Sequence, residues 1–168
     1  MSQSKKASDQ LGVTLAETAR IQAYQSGGLV RSVSRLLKLA IASTDGEDTM
    51  ALILATYLTT AAALEALLLE ATSVLNPALY AQSEFRQAGA PKKYSMLKGT
   101  NSNDASHLWA IRIAVAHGEP DNARTRFVGE HLTVTGAQQA VDMLNTLARD
   151  IWGPSMPQWF SNAIGLTS

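Results

Sequence analysis

The chain of 168 residues lacks cysteine altogether. Disulfide bonds, thiolate metal sites and cysteine nucleophiles are therefore excluded, and a cytoplasmic location is consistent with this lack. Histidine is scarce, and no two of His107, His117 and His131 have the i, i+3 or i+4 spacing of a metal site on a helix. We therefore expect neither a bound metal nor another cofactor.

The chain also lacks an excess of either charge, because 14 Lys and Arg residues balance 14 Asp and Glu residues. Tight non-specific binding of nucleic acid relies on a strong basic excess, so the neutral balance argues against it. The neutral balance still allows a local basic patch. The sequence also has no glycine-rich phosphate loop, nucleophile elbow or zinc-protease motif, which argues against the enzyme classes that these motifs mark.

The N-terminal stretch lacks the apolar core of a signal peptide behind Lys5 and Lys6, and it does not have the pattern of a transit peptide. We expect a disordered leader over residues 1–10. Hydrophobic residues make up 46% of the chain, which is typical of a globular protein. The rest of the chain, residues 11–168, is predicted to form a single helical domain.

A long apolar run extends from Met50 to Thr72 and could cross a membrane by its length alone. Glu65 would then lie inside the bilayer, and acidic rather than basic residues flank the run. We therefore predict a buried core helix over residues 48–75, ended by Asn76 and Pro77, and no membrane span. Because this helix is apolar on nearly every side, we expect it at the centre of the domain or at a subunit interface.

Helical periodicity and helix breakers predict an all-α bundle of about five to seven helices around this long helix. In the predicted helix of residues 29–42, Arg31, Arg35 and Lys38 form a cationic face, which is typical of a solvated surface. Strand-like alternation occurs only near 126–134, where a short β-hairpin or an extended connector could form. The other predicted helices cover residues 11–25, 29–42, 78–88, 91–98, 105–117 and 136–152. Gly27 and Gly28 are expected to break the chain before the second of these helices, and Thr135 to cap the last. An irregular tail follows, from which Trp159 and Phe160 could pack back onto the domain.

The segment HLWAIRIAVAHGEP, residues 107–120, contains the strongest candidate site. Arg112 and His117 lie in the last turns of a helix that Gly118 ends. A planar, always charged guanidinium can bind a phosphate through two hydrogen bonds, and imidazole can move protons near neutral pH. Five residues along a helix turn through about 140°, so the two side chains do not share a face. They could meet where the helix frays, or where two protomers each contribute a pair.

This arginine–histidine pair, at the end of a helix that follows an apolar helix with an acidic residue, resembles the signature of the HEPN (higher eukaryotes and prokaryotes nucleotide-binding) family. The resemblance covers residues 48–152. It implies a homodimer with a composite site at the two-fold interface, and a metal-independent endoribonuclease of the toxin or defence-effector type. Arg112 and His117 would be its catalytic residues and Glu65 a supporting residue. RNA, and a cognate antitoxin or inhibitor protein, would be its partners.

Two positions differ from the family pattern, and both favour an alternative function. Ile113 stands where Asn, Asp or His is common, and Glu119 stands where some members have tyrosine. The alternative is a non-catalytic helical dimer that binds nucleic acid or a nucleotide, or that regulates another protein. A purely structural oligomer is a third hypothesis.

Arg112 and His117 could also have purely structural roles. Arg112 could pair with Glu65, which would otherwise be stranded in an apolar helix, and His117 suits the negative end of the helix dipole. The indole of Trp109 is expected in the core rather than on a stacking platform. Lys92, Lys93 and Lys98 could form a phosphate-facing rim beside the motif helix, although a solvated loop is the more usual explanation of such a group.

Overall fold

The computed structural model describes residues 25–117 and 131–163. The predicted leader, nearly all of the 11–25 helix, most of the 126–134 hairpin and Glu119 lie outside these ranges. The described residues are helical and contain no strand, which confirms the all-α prediction. The helices are α1 (residues 25–42), α2 (Gly46–Leu75), α3 (Pro77–Tyr80), α4 (Ser83–Gln87), α5 (Ala90–Lys98), α6 (Asn103–His117), α7 (Val134–Trp152) and α8 (Gln158–Ala163), with a 3₁₀ turn at Gly153–Ser155 before α8.

Local capping fixes both ends of α2. The Asp45 side chain accepts hydrogen bonds from the backbone N–H groups of Glu47 and Asp48, which lie in the acidic first turn. At the other end Asn76 leaves the helical conformation ahead of Pro77, whose ring cannot continue the helix. The predicted helix of residues 48–75 is thus confirmed and begins two residues earlier.

One side of α2 forms the centre of the bundle and packs against α5, α6 and α7. This helix is long and apolar enough to cross a membrane, with a mean hydropathy of 1.8 over an 18-residue window, half of which is buried inside the fold. A buried core helix passes the same test of length and composition. The buried side chains of α2 are Ile53, Thr56, Tyr57, Thr60, Ala61, Ala63, Leu64, Leu67, Leu68, Glu70, Ala71 and Thr72.

Several predicted boundaries are wrong. Gly27 and Gly28 do not break α1, because Ser26 and Gly27 are buried and continue the inward side formed by the valines and leucines that follow. The predicted helix of residues 78–88 is split at Gln82, whose extended backbone lets both Leu79 and Phe85 point into the core. The tail contains α8, in which Phe160 is fully buried, as expected for that residue.

The start of α7 is fixed by a contact with α2 rather than by Thr135. Thr133 is the N-cap and accepts a hydrogen bond from the backbone N–H of Gly136 at 2.9 Å. Across this turn the Tyr57 hydroxyl donates to the carbonyl oxygen of His131 at 2.6 Å. A Cβ atom at Gly136 would lie 2.1 Å from the same carbonyl oxygen, so only glycine fits where the two helices meet.

Glu70 is a buried carboxyl between α1 and α2, with only 4% of its surface exposed. Neither carboxyl oxygen has a hydrogen-bond partner among the described residues. The Ser26 side chain is its polar neighbour, but the two do not reach hydrogen-bond geometry. Burial raises the pKa of Glu70 from 4.5 to about 7, and the nearby Ser26 hydroxyl lowers it by a smaller amount. Between about pH 4.5 and pH 7 the folded protein therefore keeps a proton that the unfolded chain has already released.

We expect the free energy of unfolding to fall as pH rises from about 4.5 to 7, because the folded state holds the Glu70 proton more tightly. The loss should approach about 3 kcal/mol, the free-energy equivalent of the shift. Urea unfolding at pH 5 and pH 8 measures it. Glu70→Gln, which mimics the protonated acid, should lose much less over the same range. An equal loss in both proteins would contradict this role for Glu70.

Candidate functional site

The candidate site lies on α6, where this helix packs against α2. Ala105, Leu108 and Ile111 form the buried side of α6 and pack into the core. Arg112 follows Ile111 by one position and therefore emerges beside this buried side, with 39% of its side chain exposed. This position brings the guanidinium next to Glu65 of α2.

Glu65 makes ion pairs with two cations. Its Oε2 atom lies 3.8 Å from Nη2 of Arg112, which confirms the pair expected from the sequence. Its Oε1 atom lies 3.7 Å from Nζ of Lys93 on α5. One carboxylate thus holds two positive charges, and the cluster of Glu65, Lys93 and Arg112 has a net charge of +1. The most exposed member of this cluster is Arg112, so the surplus positive charge is presented at the surface.

Trp109 fixes the guanidinium from a second direction. The Cζ atom of Arg112 lies 4.5 Å from the centroid of the indole ring, a cation–π contact between residues one helical turn apart. The indole in turn lies against Gly89, where an added Cβ would be 2.9 Å from Cζ2 of the ring. Trp109 is partly buried beside the core rather than within it, and it also positions Arg112. Its i, i+3 spacing to Arg112 was the signal for this second role.

The three lysines of α5 do not form a single phosphate-facing rim. Lys93 is 3% exposed, and its ammonium donates to the carbonyl oxygen of Ala88 besides pairing with Glu65. Neither a rim nor a solvated loop describes it, because the side chain is enclosed between α5 and α2. Lys92 is exposed and lies 4.0 Å from Glu84.

Lys98 binds Asp150 of α7, through the backbone carbonyl at 2.7 Å and the carboxylate at 3.5 Å. The hydroxyl of Tyr94 donates to the same carboxylate. Burial, and then this hydrogen bond, raise the pKa of Tyr94 to about 12. These contacts tie α5 to α7, so Lys98 has a structural partner on the side of α5 that faces α7.

His107, near the start of α6, lies beside His131. Their rings meet edge to face, with centroids 5.1 Å apart. Burial and the neighbouring His131 lower the pKa of His107, while Asp104 opposes the shift. Within residues 25–117 and 131–163 no three His, Asp or Glu side chains are grouped so that they could hold a metal ion.

His117 is the last residue of α6, and its side chain lies outside the described part of the structure. The helix between Arg112 and His117 is continuous, so about 140° of rotation separates the two positions within one chain. Fraying within the described part of α6 therefore does not bring them together.

Comparison of the chain with family models, with curated proteins and with solved structures finds no match. The features of the chain that bear on its function are the geometry of the Glu65, Lys93 and Arg112 cluster and the spacing of Arg112 and His117.

Removing the Glu65 carboxylate should leave the enclosed Lys93 without its ion partner. We expect Glu65→Ala to lower the free energy of unfolding by roughly 2–4 kcal/mol, measured by urea titration. Glu84→Ala is the matched control, because its pair with Lys92 is exposed and should contribute less than about 1 kcal/mol. Replacing both partners, with Glu65→Leu and Lys93→Met, should restore most of the loss. Equal effects of Glu65→Ala and Glu84→Ala would contradict the role of Glu65.

Proposed function

We propose that the protein is a metal-independent endoribonuclease of the HEPN kind, with Arg112 and His117 as its catalytic residues. The observation that carries the proposal is the state of Arg112: half-exposed, held by Glu65 and Trp109, and part of a cluster with a surplus positive charge. A cation fixed in place before the substrate arrives needs no reorganisation to stabilise developing negative charge. A toxin or defence effector controlled by an inhibitor protein is the biological role that fits this activity.

In the proposed chemistry Arg112 acts on the phosphate charge and His117 moves the proton. Arg112 binds the scissile phosphate and stabilises the charge that builds on its non-bridging oxygens. His117 accepts the proton of the 2′-hydroxyl as its oxygen attacks phosphorus, and the imidazolium formed in this way returns the proton to the departing 5′-oxygen. The P–O5′ bond breaks as the 2′-O–P bond forms, which leaves a 2′,3′-cyclic phosphate and a 5′-hydroxyl. No metal ion enters these steps.

A second protomer would bring the separated groups of this site together. The outward side of α2 carries Leu58 and Leu69 among small residues at helical spacing, and from Thr49 to Leu69 the single charged residue is Glu65. Such an apolar surface suits a two-fold contact, in which the same face meets itself. Because Glu65 and Arg112 lie at its edge, their partner copies would lie nearby. We call this face the α2 stripe: Ala51, Ala55, Leu58, Ala62, Ala66 and Leu69.

A non-catalytic binding or regulatory module is the second candidate function. The contacts of Arg112 favour it, since an arginine that already pairs with Glu65 and stacks on Trp109 also has a sufficient structural role. Ile113 is a further reason, because an apolar side chain stands next to the arginine. This candidate predicts RNA or nucleotide binding without cleavage.

The test of the enzyme is cleavage of a mixed RNA pool in the presence of EDTA. We expect the wild type to cut and to leave cyclic-phosphate ends, and His117→Ala and Arg112→Ala each to lower the rate by a factor of 10² or more, in line with the usual contributions of such groups. Arg86→Ala is the matched control, since Arg86 is an exposed arginine on α4, and it should cut like the wild type.

Circular dichroism and the oligomeric state accompany each variant. Absence of cleavage by a folded wild type that still binds RNA would support the binding module. Cleavage that survives both substitutions would remove Arg112 and His117 from the mechanism.

The α2 stripe predicts a dimer that a single charge can break. Leu58 is 41% exposed at the middle of the stripe, so Leu58→Glu should shift the protein from dimer to monomer in sedimentation or light scattering. Val74→Glu is the matched control, because Val74 is 60% exposed on the same helix but lies outside the stripe. A monomeric wild type, or a dimer that tolerates Leu58→Glu, would contradict the proposed interface.

A further inference from the structure

The outward side of α1 carries three cations without an acidic partner. Arg31, Arg35 and Lys38 are all exposed, and the helical residues 25–42 contain neither Asp nor Glu. Among the described residues every ion pair uses a cation of α5 or α6, so these three cations pair with no carboxylate. A protein with no net charge thus has one helix with a charge of +3. We call these three residues the α1 cation stripe.

The stripe is regular because α1 is held in place by its opposite side. Val30, Val33, Leu37 and Ala40 are buried in the core, so the helix cannot turn its cations inward. Spacings of four and three residues place Arg31, Arg35 and Lys38 on one line, at steps of about 6 Å and about 4.5 Å along the helix axis. Arg31 is further fixed by a hydrogen bond from Nε to the carbonyl oxygen of Gly27.

We infer that the α1 cation stripe binds the phosphate backbone of RNA, as a surface separate from Arg112. The choice of RNA among polyanions rests on the proposed function, whereas the binding itself needs no cleavage. A row of fixed cations gains affinity by releasing the counterions of successive phosphates. Residues 25–44 contain no aromatic side chain on which a base could stack, so the contact is independent of base sequence.

Two features favour a nucleic-acid backbone over an anionic membrane. A helix that lies in a membrane surface inserts a broad apolar face, but that face of α1 is already buried in the core. The exposed apolar residues Leu39 and Ile41 occur only in the last turn, where Leu39 and Asp48 line one groove between α1 and α2. The acidic start of α2 repels phosphate, so it bounds the stripe at that end.

The experiment measures binding of a fluorescent 20-nucleotide oligouridylate by the full chain with His117→Ala, so that the probe stays intact. Affinity is followed by anisotropy from 50 to 200 mM salt. Adding Arg35→Gln and Lys38→Gln should weaken binding and lower the slope of log K against log salt by about 1.4, for two lost phosphate contacts on a single strand. The control adds Arg86→Gln and Arg149→Gln, two exposed cations of α4 and α7 with the same change in charge.

A control pair that keeps its slope while the α1 pair loses it would support the stripe. Equal losses in both pairs would overturn the inference, because net charge alone would then explain the binding. Binding to vesicles of anionic phospholipid that depends on Arg35 and Lys38, without RNA binding, would overturn it in favour of a membrane contact. Since cleavage is not measured, an inactive wild type would refute the proposed enzyme and leave this result unchanged.

Discussion

The inward side of α2 supplies the surface on which α5, α6 and α7 are placed, and its burial is the constraint that the rest of the described fold satisfies. Beyond its first turn α2 has two carboxyls, Glu65 and Glu70, and neither is free in solvent. Glu65 is balanced by Lys93 and Arg112, and Glu70 holds a raised pKa beside Ser26. The positions of α5 and α6 therefore provide cations for the Glu65 carboxylate of α2 as well as covering the side chains of α2.

The candidate site follows from the same constraint. Because Lys93 is enclosed, its charge is used within the fold, whereas Arg112 on the other side of the Glu65 carboxylate stays within reach of solvent. Arg112 thus has a structural partner in Glu65 and still keeps part of its side chain in contact with solvent.

Local signals allowed much of the fold to be predicted, and contacts between distant residues account for the failures. Asn76 and Pro77 mark the end of α2 by their own chemistry, and the predicted bounds of this helix were right to within two residues. The continuation of α1 through Gly27 depends on burial, which no neighbouring residue reveals. At the site, the charges of Glu65 and Arg112 predicted their pairing, but the enclosure of Lys93 depends on how α5 packs on α2.

The contact between Trp109 and Gly89 has a consequence for how related chains would vary. Gly89 carries no functional group, yet the space above its Cα atom sets where the indole lies and hence where the guanidinium of Arg112 can rest. Positions 89 and 109 should therefore change together in evolution: a larger residue at the first requires a smaller ring at the second. Two residues without charge, Gly89 and Trp109, thus set the orientation of the Arg112 guanidinium.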